Sequence, residues 1–585
     1  MPAVHAEPGA PSTRQLRRRR GDPAQLPEWM LAVLRRVYAN RGVRGSRELD
    51  YGLARMLPGA GLSGLAEASR LLADAVRQGR RIIVVGDYDA DGATSTALAI
   101  RAMGALGARS LGYRVPDRFR HGYGLTPAIV DEVQTLGPDL VITVDQGISS
   151  LEGVAAARAS GLQVIVTDHH LPGPQLPDAD AVVNPNMPGE AFPSPHLAGV
   201  GVIFYVMLAL RARLRAAGWF HERGANEPNM AQFLDLVALG TVADVVSLDH
   251  NNRLLVDQGL RRIRAGQCTP GIRALLRVAG RDPAHTTASD LGFAVGPRLN
   301  AAGRLEDMAI GIECLLASEE DQGSQAAERL DTLNRERREI EAQMHAEALE
   351  AVRHAESAAE GRHGHFGICL YQPGWHEGVI GIVASRLKDR LHRPVVALAA
   401  AEDGLLKGSA RSIPGLHIRD ALQRVAASRP GLLERFGGHA MAAGLSLVPR
   451  DLEAFAEAFD HCVCEMLGGE LPTVAVDSDG PLAPQEMTLE VATELRYGGP
   501  WGQGFPEPVF DGIFHILERR WVGGRHLRLT VSPQEQRQPV EAIAFNADPQ
   551  DWPEGLEHVQ LAYRLAVNRY RGESRLQLVV EARLG

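Results

Sequence analysis

No run of about 18 apolar residues occurs in this 585-residue chain, so the sequence offers no candidate membrane span. The N-terminus also lacks a signal-like apolar core, and a soluble, cytoplasmic protein is expected. Cysteine is scarce: five scattered residues exclude a disulfide framework and fit a reducing compartment, and Cys462 with Cys464 is too small a set to hold a metal. Lysine is nearly missing, since Lys388 and Lys407 are the only two among 62 basic residues. Phosphate contacts would therefore fall to arginine, whose planar fork binds phosphate bidentately. The net charge of −9 does not mark a nucleic-acid binder, although it says nothing of a local cationic groove. No internal repeat of fixed period is present.

The length implies several domains. Residues 1–45 read as a disordered basic tail with Arg17-Arg18-Arg19-Arg20, followed by a lead-in. Over 46–322, apolar strands at Ile82–Val85, Leu140–Val144, Val164–Val166 and Ala181–Val183 alternate with helical stretches, which predicts a doubly wound parallel sheet. Residues 323–362 lack Gly and Pro from Ser324 to Glu360 and place Leu330, Leu333, Ile340, Met344, Ala348 and Val352 at helical spacing, predicting one long connecting helix. A second, smaller α/β domain follows over 363–470. In 471–585, segments such as His526–Val531 and Leu576–Val580 alternate as strands do, predicting a small β-barrel.

The chemistry concentrates where strands end. Val84-Val85-Gly86-Asp87-Tyr88-Asp89-Ala90-Asp91-Gly92 puts three aspartates at alternate positions after an apolar run. The pattern also opens an EF-hand loop, but position 12 is Leu98 where that loop needs glutamate, and a strand precedes it where a helix belongs. Two further strands end at Asp145 and at Asp168-His169-His170, and Asp244 follows the apolar stretch Phe233–Leu239. Neighbouring parallel strands lie about 4.8 Å apart, so such ends can converge within reach of a metal. Carboxylates with a histidine and no thiolate suit Mg²⁺ or Mn²⁺. Two such ions about 3.5–4 Å apart are the usual arrangement for phosphoester hydrolysis.

These motifs resemble the DHH phosphoesterase superfamily. Tyr113–Arg118 with Gly122-Tyr123-Gly124-Leu125, Gly296–Arg304, Gly374–Gly381 and Gly437–Ala440 make the chain similar, from about residue 50 to its end, to the RecJ exonuclease family. The resemblance implies a DHH catalytic domain, a DHHA1-like second domain packed against it to leave a cleft, and a C-terminal OB-fold. It implies that Asp89, Asp91, Asp145, His169 and Asp244 hold two ions, with Asp145 bridging, His170 toward the substrate and Asp87 turned away. Gln146 stands where the family has asparagine, which leaves the surroundings of Asp145 open.

For the substrate, the resemblance implies that Ser409 and Arg411, with Arg118 and Arg304, grip a terminal 5′ phosphate, and that Arg298, Asn300 and His439 also face the strand. Trp375 either stacks a base or fills the core, and His376 either contacts phosphate or is structural. In the C-terminal segment Arg519, Arg520, Trp521, Arg525, Arg528, Arg564, Arg569-Tyr570-Arg571 and Arg575 interleave cations with rings, as single-strand-binding barrels do. The expected activity is metal-dependent 5′ to 3′ degradation of single-stranded DNA to mononucleotides, in DNA repair and recombination. The alternatives are a superfamily enzyme acting on short oligonucleotides or a non-catalytic strand-binding relative. Single-strand binding protein and a helicase are expected partners of a monomer.

Overall fold

The computed structural model describes residues 14–118, 120–358, 365–473, 475–534, 539–570 and 572–584. It divides into two compact units: 16–333 with 476–584, and 334–475 with Arg14 and Gln15. The first unit begins with β1 (Gln15–Arg18), which lies beside a strand of the C-terminal region. Its catalytic-type layer is a five-stranded sheet of β2 (Ile82–Val85), β3 (Leu111–Arg114), β4 (Leu140–Val144), β5 (Gln163–Thr167) and β6 (Ala181–Val183), in the order β3-β2-β4-β5-β6. All four pairings are parallel. β2 and β4 are buried along their whole length, as their unbroken β-branched and apolar runs demand of a sheet covered on both faces.

The expected connecting helix runs continuously over Glu320–Ala358. The last residues of its expected span, 359–362, lie outside the described residues. In the second unit, β7 (Ile368–Tyr371), β8 (Val395–Ala400), β9 (Leu406–Arg411), β10 (Arg435–Gly438) and β11 (Ala442–Leu447) form a mixed sheet in the order β10-β11-β9-β8-β7. Its core of Leu398, Leu422, Phe455 and Phe459 is separate from that of the first unit.

The C-terminal region returns to the first unit. β12 (Ala475–Ser478) pairs with β1, and β13 (Phe510–Val522), β14 (His526–Pro533), β15 (Val540–Ala544), β16 (His558–Tyr570) and β17 (Glu573–Leu584) close into a barrel. The barrel is not tethered as a bead on a string, because Phe510, Leu529 and Leu578 share one continuous core with Leu72, Ile82 and Val237. Its joint is charged and aromatic. Arg41 meets Asp479 at 2.9 Å with both side chains almost wholly buried, and lies 5.1 Å from the Trp501 ring, which stacks on Phe505. Arg253 covers the other ring at 4.2 Å.

The expected disordered tail is corrected from residue 14 onward; residues 1–13 lie outside the described part. Arg17 and Arg19 pair with Asp477, and Arg18 with the buried Asp511, so this basic run is ordered by acids 458 to 493 residues further along.

Candidate metal centre

Register explains why the acids meet. Val85 lies opposite Thr143 and Val144 opposite Thr167, so β2, β4 and β5 end level with one another and their next residues emerge on the same edge. Asp87 follows β2, Asp145 follows β4, and Asp168-His169-His170 follows β5. Asp89 caps the Ala90–Ala105 helix, its Oδ1 accepting from Gly92 N at 3.0 Å, and Asp91 lies in that helix's first turn. Asp244 arrives at the end of the Leu234–Ala243 helix.

Ligand atoms of Asp91, His169 and Asp244 lie within 4.8 Å of one another, as do those of Asp145, His169 and His170, and those of Asp87, Asp89 and Asp145. The expectation that Asp87 turns away is therefore corrected. The chain leaves β2 through Gly86, where a Cβ would come within 2.2 Å of Thr96 Oγ1. That close approach tucks the strand end against the helix and keeps Asp87 inside, buried beside Asp89.

Among the described residues the cations that act on these carboxylates, His170 and Arg118, are outnumbered by the acids. Burial pushes the carboxyls of Asp87, Asp145 and Asp244 well above the usual range, and the neighbouring acids push them further. Asp91 is raised by burial and by Asp89 to about 7. His169 is lowered to about 4 by burial and by His170. His170 is held by Asp168 at 2.7 Å, and although burial lowers its pKa, the carboxylates of Asp168, Asp244 and Asp87 raise it to about 9. Asp145 Oδ1 and His169 Nε2 are 3.1 Å apart, both buried, yet neither makes a hydrogen bond. Orphaned, buried oxygen and imidazole donors with repelling charges fit divalent cations of the Mg²⁺ and Mn²⁺ kind.

The walls are as specific as the ligands. Asp145 has φ 62°, a left-handed conformation that aspartate tolerates better than most residues. A Cβ on Gly199 would lie 2.5 Å from Asp145 Oδ1, and one on Gly240 would lie 2.7 Å from Asp91 Oδ1. Gly199 N and Val200 N, at the start of the Gly199–Ala216 helix, donate to Asp91 at 2.6 and 3.0 Å. Sequence reasoning missed this anchor; the available signal was the glycine pair Gly199 and Gly201 opening an apolar helix. Gln146 donates to Val85 O and accepts from Leu125 N at 2.9 Å, so its longer amide ties the end of β2 to the Gly122–Leu125 motif.

Other expected residues divide by what they touch. Arg118 lies 4.2 Å over the Tyr88 ring with a buried Nε that makes no hydrogen bond, and remains available to an anion. Arg304 belongs to the same surroundings, acting electrostatically on Tyr88. Asn300 instead accepts from Ala90 N at 2.7 Å, bracing the metal loop. Arg298, expected on the strand, is corrected: it is held by Asp331 at 2.8 Å and by Ala294 O, because its helix turns that face toward the Glu320–Ala358 helix.

In the second unit, Arg411 is largely buried with no carboxylate among the described residues, and donates to Ser409 Oγ at 2.7 Å. A Cβ on Gly381, in the first turn of the Ile380–Leu391 helix, would lie 2.8 Å from Arg411 and 3.0 Å from Ser409. A guanidinium, a hydroxyl and a helix N-terminus thus converge on one spot, an arrangement suited to an anion. His439 is exposed beyond β10, and His376 is half-buried, accepting from Gly378 N at 3.1 Å. Trp375 is in the core and donates to Glu347 at 2.9 Å, so it stacks no base.

Comparison with known proteins agrees with this geometry. Residues 81–241 match the DHH family N-terminal domain, 364–465 the DHHA1 domain and 478–582 the RecJ OB domain. The single-stranded-DNA-specific exonuclease RecJ of Salmonella typhimurium is 55% identical over 97% of this chain and 98% of its own. The chain belongs to the RecJ exonuclease family. Crystal structures of RecJ from Thermus thermophilus superpose on 94% of the chain: with Mn²⁺ at TM-score 0.77 and 32% identity over 75% of that chain, and with Mg²⁺ at 0.71 and 30% over 74%. Like those RecJ proteins, the chain combines a parallel-sheet DHH domain, a DHHA1 domain and an OB barrel, and its acidic centre has the donor set for the ions they carry.

Proposed function

We propose that this chain is a metal-dependent exonuclease that degrades single-stranded DNA from the 5′ end to mononucleotides, in DNA repair and recombination. The observation that carries the reading is the convergence of Asp89, Asp91, Asp145, His169 and Asp244 in overlapping groups whose atoms could hold a metal. It is supported by relatives named as single-stranded-DNA-specific exonucleases.

Two divalent ions bound there would activate water and stabilise the charge that develops on the phosphate oxygens. The residues of the chain do the rest. Asp145 would be shared between the two ions, a role supported by its grouping both with Asp87 and Asp89 and with His169 and His170. Asp168 fixes the ring of His170, which contacts the substrate phosphate. Ser409 and Arg411, with the N-terminus of the Ile380–Leu391 helix, take the terminal 5′ phosphate, and Arg118 and Arg304 hold the backbone beside the metals. The barrel carries the longer strand on Trp521 and on Arg520, Arg525 and Arg569. Arg528, Arg564 and Arg575 are paired with acids of the barrel or of its approach, Arg519 donates to Pro553 O, and Arg571 lies outside the described residues.

No helix among the described residues is long and apolar enough to cross a membrane. The reading places the protein in the cytoplasm as a monomer, working with single-strand binding protein and a helicase.

Digestion of matched 5′-labelled and 3′-labelled strands, single and duplex, with Mn²⁺ or Mg²⁺, tests it. The 5′ label should leave first, as a mononucleotide, with the duplex resistant. Release of the 3′ label first, or no release with either ion, would overturn it.

A further inference from the structure

Phe293 is the most exposed large apolar side chain among the described residues, at 85% of its full accessibility. A phenylalanine left in water forgoes about 1.5–3 kcal/mol of burial, which makes it an informative exception on a chain whose other rings are mostly packed. It does not lie on a loose loop. It is the middle residue of Leu291–Val295, one turn of π-helix set between Ala288–Asp290 and the Gly296–Leu305 helix. Single π-turns are rare and cluster at functional sites, because the wider turn re-aims one side chain without ending the helix.

The location of that turn gives the ring its meaning. A Cβ on Gly292 would lie 3.1 Å from Val242 Cγ1, and one on Gly296 would lie 3.1 Å from Ala243 Cβ. The π-turn is therefore pressed against the last residues of the helix that delivers Asp244. The next residue, Val245, is itself 63% exposed and has φ 62°, a conformation that a β-branched residue adopts only under constraint. On the far side, Asn300 of the following helix reaches Ala90 in the metal loop. One exposed apolar side chain thus directly follows Asp244, and the other lies on the turn packed against the end of the helix that delivers Asp244.

We propose that Phe293 is the platform on which a base of the single strand stacks next to the linkage being cut. The proposal rests on the exonuclease reading above and adds the group that places the strand. The occupant follows from the chemistry of the neighbourhood: the metal centre takes the phosphate, and the unit of the substrate adjoining a phosphate that offers a flat apolar face is the base. Stacking on an aromatic ring is tolerant of sequence, since every base has a π-face, and it requires a base free of its own neighbours, which a single strand supplies and a duplex does not.

The test uses the full-length protein, Phe293→Ala and Phe293→Tyr, on a 5′-phosphorylated single strand and on a series carrying one abasic residue at successive positions from the 5′ end. Phe293→Ala should lower kcat/KM on the ordinary strand by about tenfold to a hundredfold, the worth of one base–aromatic stack. Phe293→Tyr should stay near wild type. At one position, removing the base should cost the wild type a similar factor and cost Phe293→Ala nothing further. Mn²⁺ should raise the melting temperature of all three proteins equally, since the ring touches no ligand. Equal rates for Phe293→Ala and wild type, or an abasic penalty that is the same in both at every position, would overturn the proposal; a ring that serves a protein partner gives the first of these results. A wild-type protein that fails to degrade the ordinary strand would instead defeat the exonuclease reading.

Discussion

Asp479 and Asp145 are both buried acids of the same compact unit, but Arg41 meets Asp479 at 2.9 Å, whereas Asp145 faces Asp89, Asp91 and Asp244. At the joint between barrel and sheet, the fold provides the counter-charge itself and stacks it on Trp501. At the strand ends it gathers more acids than the nearby His170 and Arg118 can balance and walls them with glycines, leaving the remainder to something from outside. The difference separates two kinds of buried charge. A closed ion pair specifies how segments fit together, while an open cluster of one sign specifies a ligand.

Four experiments can break or sharpen that contrast. Asp145→Asn, chosen because asparagine also tolerates the left-handed backbone, should lower Mn²⁺-dependent nucleotide release by about 10⁴-fold or more, roughly 5.5 kcal/mol of barrier. The metal-free variant should be no less stable than wild type in urea, since a repelling charge has gone; a large loss of stability would make Asp145 a structural acid like Asp479. Arg41→Ala should do the reverse and destabilise the first unit by about 3–5 kcal/mol, because Asp479 is left buried and unpaired. A second substitution, Asp479→Asn, should recover part of that loss in equilibrium unfolding. Mn²⁺ at about 100 times its Kd should stabilise the wild type by roughly 2.7 kcal/mol in thermal melts, while Asp145→Asn responds far less. The smallest effect is expected at the barrel surface. Trp521→Ala should weaken binding to a long strand by about 1 kcal/mol per stacked base, leave hydrolysis of a dinucleotide unchanged and leave the melting temperature in place.

The parallel sheet was legible because its strands are short uninterrupted β-branched runs: Ile82–Val85, Leu140–Val144 and Ala181–Val183 have the bounds expected of them. β3 escaped notice because Gly112 and Arg114 break its apolar pattern at the sheet edge. The convergence of acids at the strand ends was legible for the same reason as the strands, since successive strands of a parallel sheet end on one edge. What no local pattern could reveal was pairing over long separations. The run Arg17–Arg20 has the composition of a solvated tail, and only the distant Asp477 and Asp511 make it a strand. Arg298 likewise reads as a substrate cation until Asp331 is placed beside it. Asp87 was expected to turn away on the resemblance alone; the close approach of Gly86 to Thr96, which keeps it inside, has no signature in the local sequence.

The order of the chain gives the shared core a temporal meaning. Arg41 finds Asp479 across 438 residues, and the second unit is encoded between them. During synthesis, from the N-terminus onward, the inserted unit has all of its strands and its own core before the first unit has received its barrel. The nascent sheet must therefore wait, with Trp501 and Phe505 not yet made and Arg41 without its acid, until the last fifth of the chain is translated. Ribosome-bound intermediates stalled before residue 479 should expose exactly that unsealed joint to chaperones, which makes the charged seam a checkpoint for completeness as well as a weld.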